Sequence, residues 1–357
     1  MASQMLLDRN ENQYGPSPAC LHVLRSADLH ELSLYSRDYT RGMKSELSSR
    51  LGTLFGIPEE RVLLSYGSED MLKQVVHCYV HKGDTMLLPR QSWWYYKSLA
   101  QEKDGRAVEY TLHERNGRFV YDAGEIMALY DAHLPHVILI ASPNNPTGNC
   151  VEPADLARIV AHCTESVVVL DEAYHGFSVG GNDQLRELLD SNPRLIVLRT
   201  FSKYYALAGL RVGYGCAGEG LSRLAAFSAR YLGFNRLSEK IALAALDDSA
   251  YYLGTAKKIQ EDKQLYYEFF ATCDGFTAFL SDANFILVRH PGHVKQKLAQ
   301  GLTENGIIVK FLDDPALRDC MRITIGTREQ NRQVLSVLER LLSQHRGVRS
   351  ALATLKQ

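Results

Sequence analysis

Lys203 follows the hydroxyl-rich turn Thr200-Phe201-Ser202 and precedes Arg211 by eight residues, and Asp171 directly follows the apolar run Val167-Val168-Val169-Leu170. A lysine amine can form a Schiff base with an aldehyde and then carry protons. A carboxylate at a strand end can hold a ring nitrogen protonated, which turns the ring into an electron sink. Arg211, with the hydroxyls of Thr200 and Ser202, suits a phosphate dianion. Singly, each has a plainer reading: a strand-end Asp is usually a cap or turn residue, and a Ser-Lys pair is usually surface. Taken jointly, their spacing is what a pyridine cofactor requires.

Three segments must be brought together for that chemistry. Val137 to Ala141 runs into Asn144-Asn145-Pro146-Thr147-Gly148, Val167 to Leu170 into Asp171-Glu172-Ala173-Tyr174, and Leu195 to Arg199 into Thr200 to Lys203. From Asn145 to Asp171 is 26 residues and from there to Lys203 is 32, about one βαβ unit each. In open α/β sheets ligands sit beyond the carboxyl ends of the strands, so the three turns are expected in one crevice. Further strands are expected at Arg61 to Ser65, Thr85 to Leu88 and Arg211 to Gly215, with helices opening near Ser68 and at Glu152-Pro153. The alternation predicts an α/β fold with a mostly parallel sheet.

After about residue 245 the texture changes. A charged helix (Thr255 to Phe270), two strand-like runs (Phe285 to Arg289, Met321 to Ile325) and an amphipathic helix carrying Val334, Leu335, Leu338, Leu341 and Leu342 on one stripe predict a smaller α+β domain. The expected division is an N-terminal arm and part of the small domain at 1–40, a large domain at 41–245, and a small C-terminal domain at 246–357.

Composition narrows the function classes. The 357 residues carry 40 basic and 41 acidic side chains, and no Lys/Arg cluster tracks a phosphate backbone, so nucleic acid is not an expected partner. No apolar run approaches the roughly 20 residues that span a bilayer, and the N-terminus lacks a basic then apolar leader, which predicts no membrane partner and a cytoplasmic address. Seven scattered cysteines without Cys-x-x-Cys spacing, and histidines without metal-ligand spacing, predict reduced thiols and no metal site. His175, beside Tyr174, is expected to be a packing residue or a neighbour of the cofactor rather than a metal ligand. Gly213-Tyr214-Gly215-Cys216-Ala217-Gly218 matches a dinucleotide fingerprint but lacks a following crossover helix and an acidic ribose ligand.

Asn145-Pro-Thr-Gly, Asp171-Glu-Ala-Tyr174, and Thr200-Phe-Ser-Lys203 with Ala208-Gly-Leu-Arg211 resemble the signatures of fold-type I pyridoxal-phosphate aminotransferases. Asn10-Glu-Asn-Gln-Tyr-Gly-Pro-Ser-Pro18 and Arg322-Ile-Thr-Ile-Gly-Thr-Arg328 are similar to the histidinol-phosphate aminotransferase branch. The resemblance spans residues 8 to 342. It implies a dimeric enzyme that moves an amino group between an amino acid, or a histidinol-phosphate-like amine, and a 2-oxo acid by ping-pong chemistry; a threonine-phosphate decarboxylase-like enzyme is the alternative.

By the same resemblance, Lys203 would carry pyridoxal phosphate and Asp171 would face its ring nitrogen. Asn145 and Tyr174 would bond its phenolic oxygen, and Trp93 would stack on the ring. Ser68, Glu69, Thr200, Ser202 and Arg211 would hold the phosphate, joined by Tyr39 of the neighbouring subunit. Arg322 would grip the substrate α-carboxylate, with Tyr14 and Lys310 near the distal group. Gln13 stands where the family often has Pro, and Lys310 where it commonly has a second Arg; the latter makes a non-phosphorylated side chain plausible. Trp94, Tyr95 and Tyr96 are read as helix packing.

Overall fold

A computed structural model describes residues 4–178, 185–230 and 232–343; the tail of the expected C-terminal domain lies outside the described residues. Seven strands form the larger sheet in the order Val62–Ser65, Gly213–Ala217, Leu195–Thr200, Val167–Asp171, Val137–Ala141, Thr85–Pro89 and Arg106–Tyr110. The five from Leu195–Thr200 to Arg106–Tyr110 run parallel, and Gly213–Ala217 is antiparallel to both of its neighbours. Strands of continuous β-branched and aliphatic residues suit this sheet because helices cover both of its faces. The two faces divide by the period of two: Ile138, Ile140, Val168 and Leu170 enter one core, while Val137, Leu139, Val167 and Val169 enter the other.

Register then brings the chemistry together. Ala141 pairs with Asp171, and Asp171 with Leu198, so the turns after three adjacent parallel strands leave the sheet on one side. The antiparallel run of Gly213–Ala217 also removes the dinucleotide reading of its glycines, which needs a parallel strand feeding a crossover helix. That strand starts two residues later than expected, because Arg211 occupies a left-handed turn with φ 54°.

A second sheet of five strands has the order Met5–Leu7, Ile307–Phe311, Cys320–Thr324, Phe285–Arg289 and Thr277–Phe279. The N-terminal strand pairs parallel with Ile307 to Val309, which ties the start of the chain to its last third. Helices Ser249–Ala271, Lys295–Glu304 and Arg328–Leu342 accompany this sheet, and a core of its own includes Phe285, Ile323, Val334 and Leu338. Thr327 and Gln330 close a reciprocal capping box at the start of the last helix.

Candidate active site

Beyond the ends of the parallel strands lies a cavity of about 1060 Å³. Of the residues expected to do chemistry, Ser68, Glu69, Trp93, Asn145, Asp171, Tyr174, Thr200, Ser202, Lys203, Arg211, Lys310 and Arg322 line it. Tyr14 does not. Its half-buried ring lies under Lys258 Nζ at 5.5 Å, and its carbonyl accepts from Tyr251 Oη, so the pocket-lining role expected of it is not what this protomer presents. Tyr39 is 69% exposed and also lies outside the lining.

Lys203 Nζ donates to the Arg9 carbonyl at 2.7 Å and sits 5.8 Å from the centre of the Tyr174 ring. Burial, reinforced by the positive charge of Arg322, lowers its ammonium to about 8. The amine is therefore poised to shed its proton near neutral pH, as nucleophilic attack on an aldehyde requires.

Asp171 ends its strand in a buried position, and burial pushes its carboxyl up. Two donors oppose that: Tyr96 Oη at 2.9 Å on Oδ2 and the Ala173 amide at 3.0 Å on Oδ1. Tyr174 is also buried, and its hydroxyl oxygen accepts from Asn10 Nδ2 at 2.8 Å. Trp93 packs against Tyr95 and Tyr96 with ring centres 4.9 and 5.7 Å apart.

Ser68 and Glu69 in the lining open helix Ser68–Tyr79, where the first amides have no intrahelical partner. Arg211 Nη1 donates to Ser202 Oγ at 3.3 Å, and Thr200 Oγ1 to Ser202 Oγ at 2.9 Å. Gly67, at φ 91°, leaves room for the guanidinium: a Cβ there would lie 2.6 Å from Arg211 Nη2. A Cβ on Gly213 would lie 2.6 Å from the Ser68 nitrogen, so both glycines are needed for the helix start and the arginine to share this corner. Amides at a helix start, two hydroxyls and a guanidinium are a donor set for a phosphate dianion.

Arg322, also in the lining, is 8% exposed, and burial lowers its pKa from the usual arginine range. Its Nη1 donates to Asn145 Oδ1 and its Nη2 to the Asp8 carbonyl, while its buried Nε has no hydrogen-bond partner among the described residues. A buried donor of that kind suits a planar carboxylate. The donor set for a phosphate, the buried carboxylate of Asp171 and the indole of Trp93 in the same lining, and the low-pKa lysine together fit pyridoxal phosphate.

Sequence reasoning missed several of these contributions. Tyr96, expected to be helix packing, reaches Asp171; it stands three residues from Trp93, the spacing that puts two side chains on one face of a helical turn. Trp94 is 69% exposed and lines the cavity, whereas Tyr95 does pack against the core beside Trp93. The segment 8–10 supplies partners to Arg322, Lys203 and Tyr174 in turn, and two of these are backbone carbonyls that no residue pattern announces.

The model of the family "Aminotransferase class I and II" matches residues 2–338. A histidinol-phosphate aminotransferase of Ruminiclostridium cellulolyticum is 33% identical over 333 residues, covering 93% of this chain and 91% of that protein. The enzyme of that name from Bacillus subtilis strain 168 is 31% identical over 94% of this chain and 91% of its own length. Among solved structures, histidinol-phosphate aminotransferase from Sinorhizobium meliloti in complex with pyridoxal-5'-phosphate superposes with a TM-score of 0.84 at 22% identity, over 96% of this chain and 91% of that one. L-threonine-O-3-phosphate decarboxylase from Porphyromonas gingivalis shares the fold with a TM-score of 0.78 at 18% identity, over 95% and 100% of the two chains. The chain belongs to the class I and II aminotransferases and is a pyridoxal-phosphate-dependent enzyme of that family.

Proposed function

We propose that this enzyme transfers the amino group of an amino acid, or of a histidinol-phosphate-like amine, to a 2-oxo acid, with the cofactor carried on Lys203. The observation that carries the reading is the convergence of Lys203, Asp171, Tyr174, Asn145 and Arg322 on one cavity, with the lysine amine lowered to about 8. When bound, pyridoxal phosphate supplies an aldehyde and an electron sink. Asp171 would keep the ring nitrogen protonated. Tyr174 and Asn145 would donate to the phenolic oxygen, and Trp93 would stack on the ring. Ser68, Glu69, Thr200, Ser202 and Arg211 hold the phosphate. Lys203 Nζ, lowered to about 8, would accept and return the proton of the substrate carbon, and Arg322 would hold the α-carboxylate.

Lys310 is exposed at the cavity rim, on the strand register opposite Arg322, and is assigned to the distal group of the substrate. Tyr14, which stands outside the lining of a single protomer, is assigned to the same group by the family resemblance. A homodimer in which the partner's copy of Tyr39 completes the phosphate site is supported by a run of exposed apolar residues, Leu29, Leu32, Leu34, Tyr35 and Tyr39. Free thiols at all seven cysteines support a reducing compartment such as the cytoplasm. The division at residues 40 and 245 is supported by the two sheets and by the assignment of Met5–Leu7 to the smaller one.

A half-reaction panel tests the reading. The loaded enzyme is mixed with one amine donor at a time, histidinol phosphate included, and conversion of bound cofactor to its amine form is followed by absorbance while carbon dioxide is assayed. Conversion without gas release is expected. Carbon dioxide released in step with substrate loss would replace transfer by decarboxylation.

A further inference from the structure

Asn10 is 1% exposed, sits at φ 57°, and engages every polar atom it has. Its amide N–H donates to Thr324 Oγ1 at 3.0 Å, and its carbonyl accepts from Asn284 Nδ2 at 3.0 Å. The Thr324 hydroxyl donates in turn to Asn10 Oδ1 at 3.3 Å. That last bond fixes the side-chain amide: with Oδ1 held by a hydroxyl donor, the opposite corner must be the NH2 group, and it lies 2.8 Å from Tyr174 Oη. A Tyr hydroxyl has one hydrogen and two acceptor lone pairs. With Asn10 Nδ2 occupying a lone pair, the hydrogen is free to point elsewhere, and the cavity lined by Tyr174 is on that side.

We propose that Asn10 is a positioning residue for Tyr174: by donating to the phenol oxygen, it commits the tyrosine hydrogen to the cofactor's phenolic oxygen. The proposal rests on the reading of Tyr174 given above. It also explains why an asparagine occupies this position. Asn tolerates the left-handed backbone, as Asp and Gly do, but Asp could only accept and would draw the tyrosine hydrogen away from the cavity. Thr324, from the smaller sheet, orients the donor, so a strand of that sheet reaches the cofactor corner through two hydrogen bonds.

The readout is the pH midpoint of the visible absorption of bound pyridoxal phosphate, with the cofactor dissociation constant measured alongside. Tyr174→Phe is expected to raise the midpoint, because a phenolic oxygen without a donor retains the neighbouring proton more strongly. Asn10→Asp should raise it in the same direction by about one pH unit, the scale of one lost hydrogen bond to a charged oxygen. Asn10→Gly, which keeps the backbone, should move it less, and Thr324→Val less again. In a Tyr174→Phe background none of these should move the midpoint further.

An unchanged midpoint in both Asn10 variants while Tyr174→Phe shifts it overturns the inference and leaves the role of Tyr174 standing. Equal shifts with and without Tyr174 overturn it as well, since Asn10 would then act by another route. No shift in Tyr174→Phe itself removes the underlying assignment, and the inference with it. Should Asn10→Asp fail to fold, Asn10→Gly and Thr324→Val decide the matter.

Discussion

Tyr96 Oη donates to Asp171 Oδ2 at 2.9 Å inside the protein, which joins the helix that starts beside Trp93 to the carboxylate at the end of the central strand. Burial, reinforced by the proximity of Asp171, holds the tyrosine well above its usual pKa, so it remains a donor throughout the working range. Tyr96→Phe removes a bond that opposes the upward push of burial on Asp171. The variant should keep its cofactor and lose about tenfold in kcat/KM, with the acid limb of the pH profile moved to higher pH as Asp171 holds its proton longer. A profile that drops in height without moving along the pH axis would assign Tyr96 to packing alone.

The lowered Lys203 amine gives a directional pH prediction. Below about 8 the side chain is mostly ammonium and cannot attack an aldehyde; above it the free amine dominates. Capture of pyridoxal phosphate by apoprotein should therefore accelerate as pH rises through about 8 and level off above. Stopped-flow absorbance at a series of pH values measures this, and borohydride reduction with peptide mapping should place the label on Lys203. Rates that keep rising toward the ordinary lysine range would show an amine that burial has not perturbed.

Glu239 offers a stability test away from the chemistry. It lies in the first turn of helix Arg236–Asp247, 4% exposed, and its Oε1 has no hydrogen-bond partner among the described residues. Burial, aided by Asp38 and Glu46, raises its carboxyl from 4.5 to about 7. A folded-state pKa above the unfolded one means the folded protein holds the proton longer. The associated stability is present below about 4.5 and is lost as pH rises through about 7. Glu239→Gln should match the parent in acid and exceed it above neutrality, by up to about 3 kcal/mol. Denaturant melts at two pH values would check this; an equal difference at both would mean the carboxyl titrates normally.

What the sequence made legible, and what it did not, divides along physical lines. Val137 to Ala141 matches its strand to the residue, and the neighbouring runs match within one, because a strand buried on both faces must be continuously apolar and its end is marked by the first polar residue. The strand Arg106–Tyr110 escaped, since at the edge of the sheet it is polar and exposed at its start. Lys203, Asp171 and Arg211 were visible as residue types at informative spacing. The contacts of Asp8 and Arg9 were not, because a backbone carbonyl is the same in every residue and only the pairing of Met5–Leu7 with Ile307–Phe311 brings it to the site. Tyr14 and Tyr39 show the converse: their proposed roles came with a family resemblance, and neither side chain lines the cavity of a single protomer.

Arg322 and Lys310 face each other across one strand pairing and are expected to differ sharply in what their loss does. Every amino-acid substrate presents the same planar carboxylate, and Arg322 offers a planar fork with a buried Nε that has no protein partner among the described residues. Lysine at that place keeps the charge but supplies a single point donor. Arg322→Lys should therefore cost about 2–4 kcal/mol in kcat/KM, nearly the same for each substrate. Lys310 is exposed, so its charge is well screened, and its effect should be smaller and selective. Lys310→Ala should raise KM for phosphorylated or acidic substrates, more so at low ionic strength, while sparing aromatic ones. Steady-state kinetics of both variants with one anionic and one aromatic donor, at two salt concentrations, measures all of this. A uniform loss in Lys310→Ala, independent of salt, would take that residue out of substrate reading and leave the choice of substrate to the apolar and aromatic lining, Trp93, Trp94, Leu312 and Leu317.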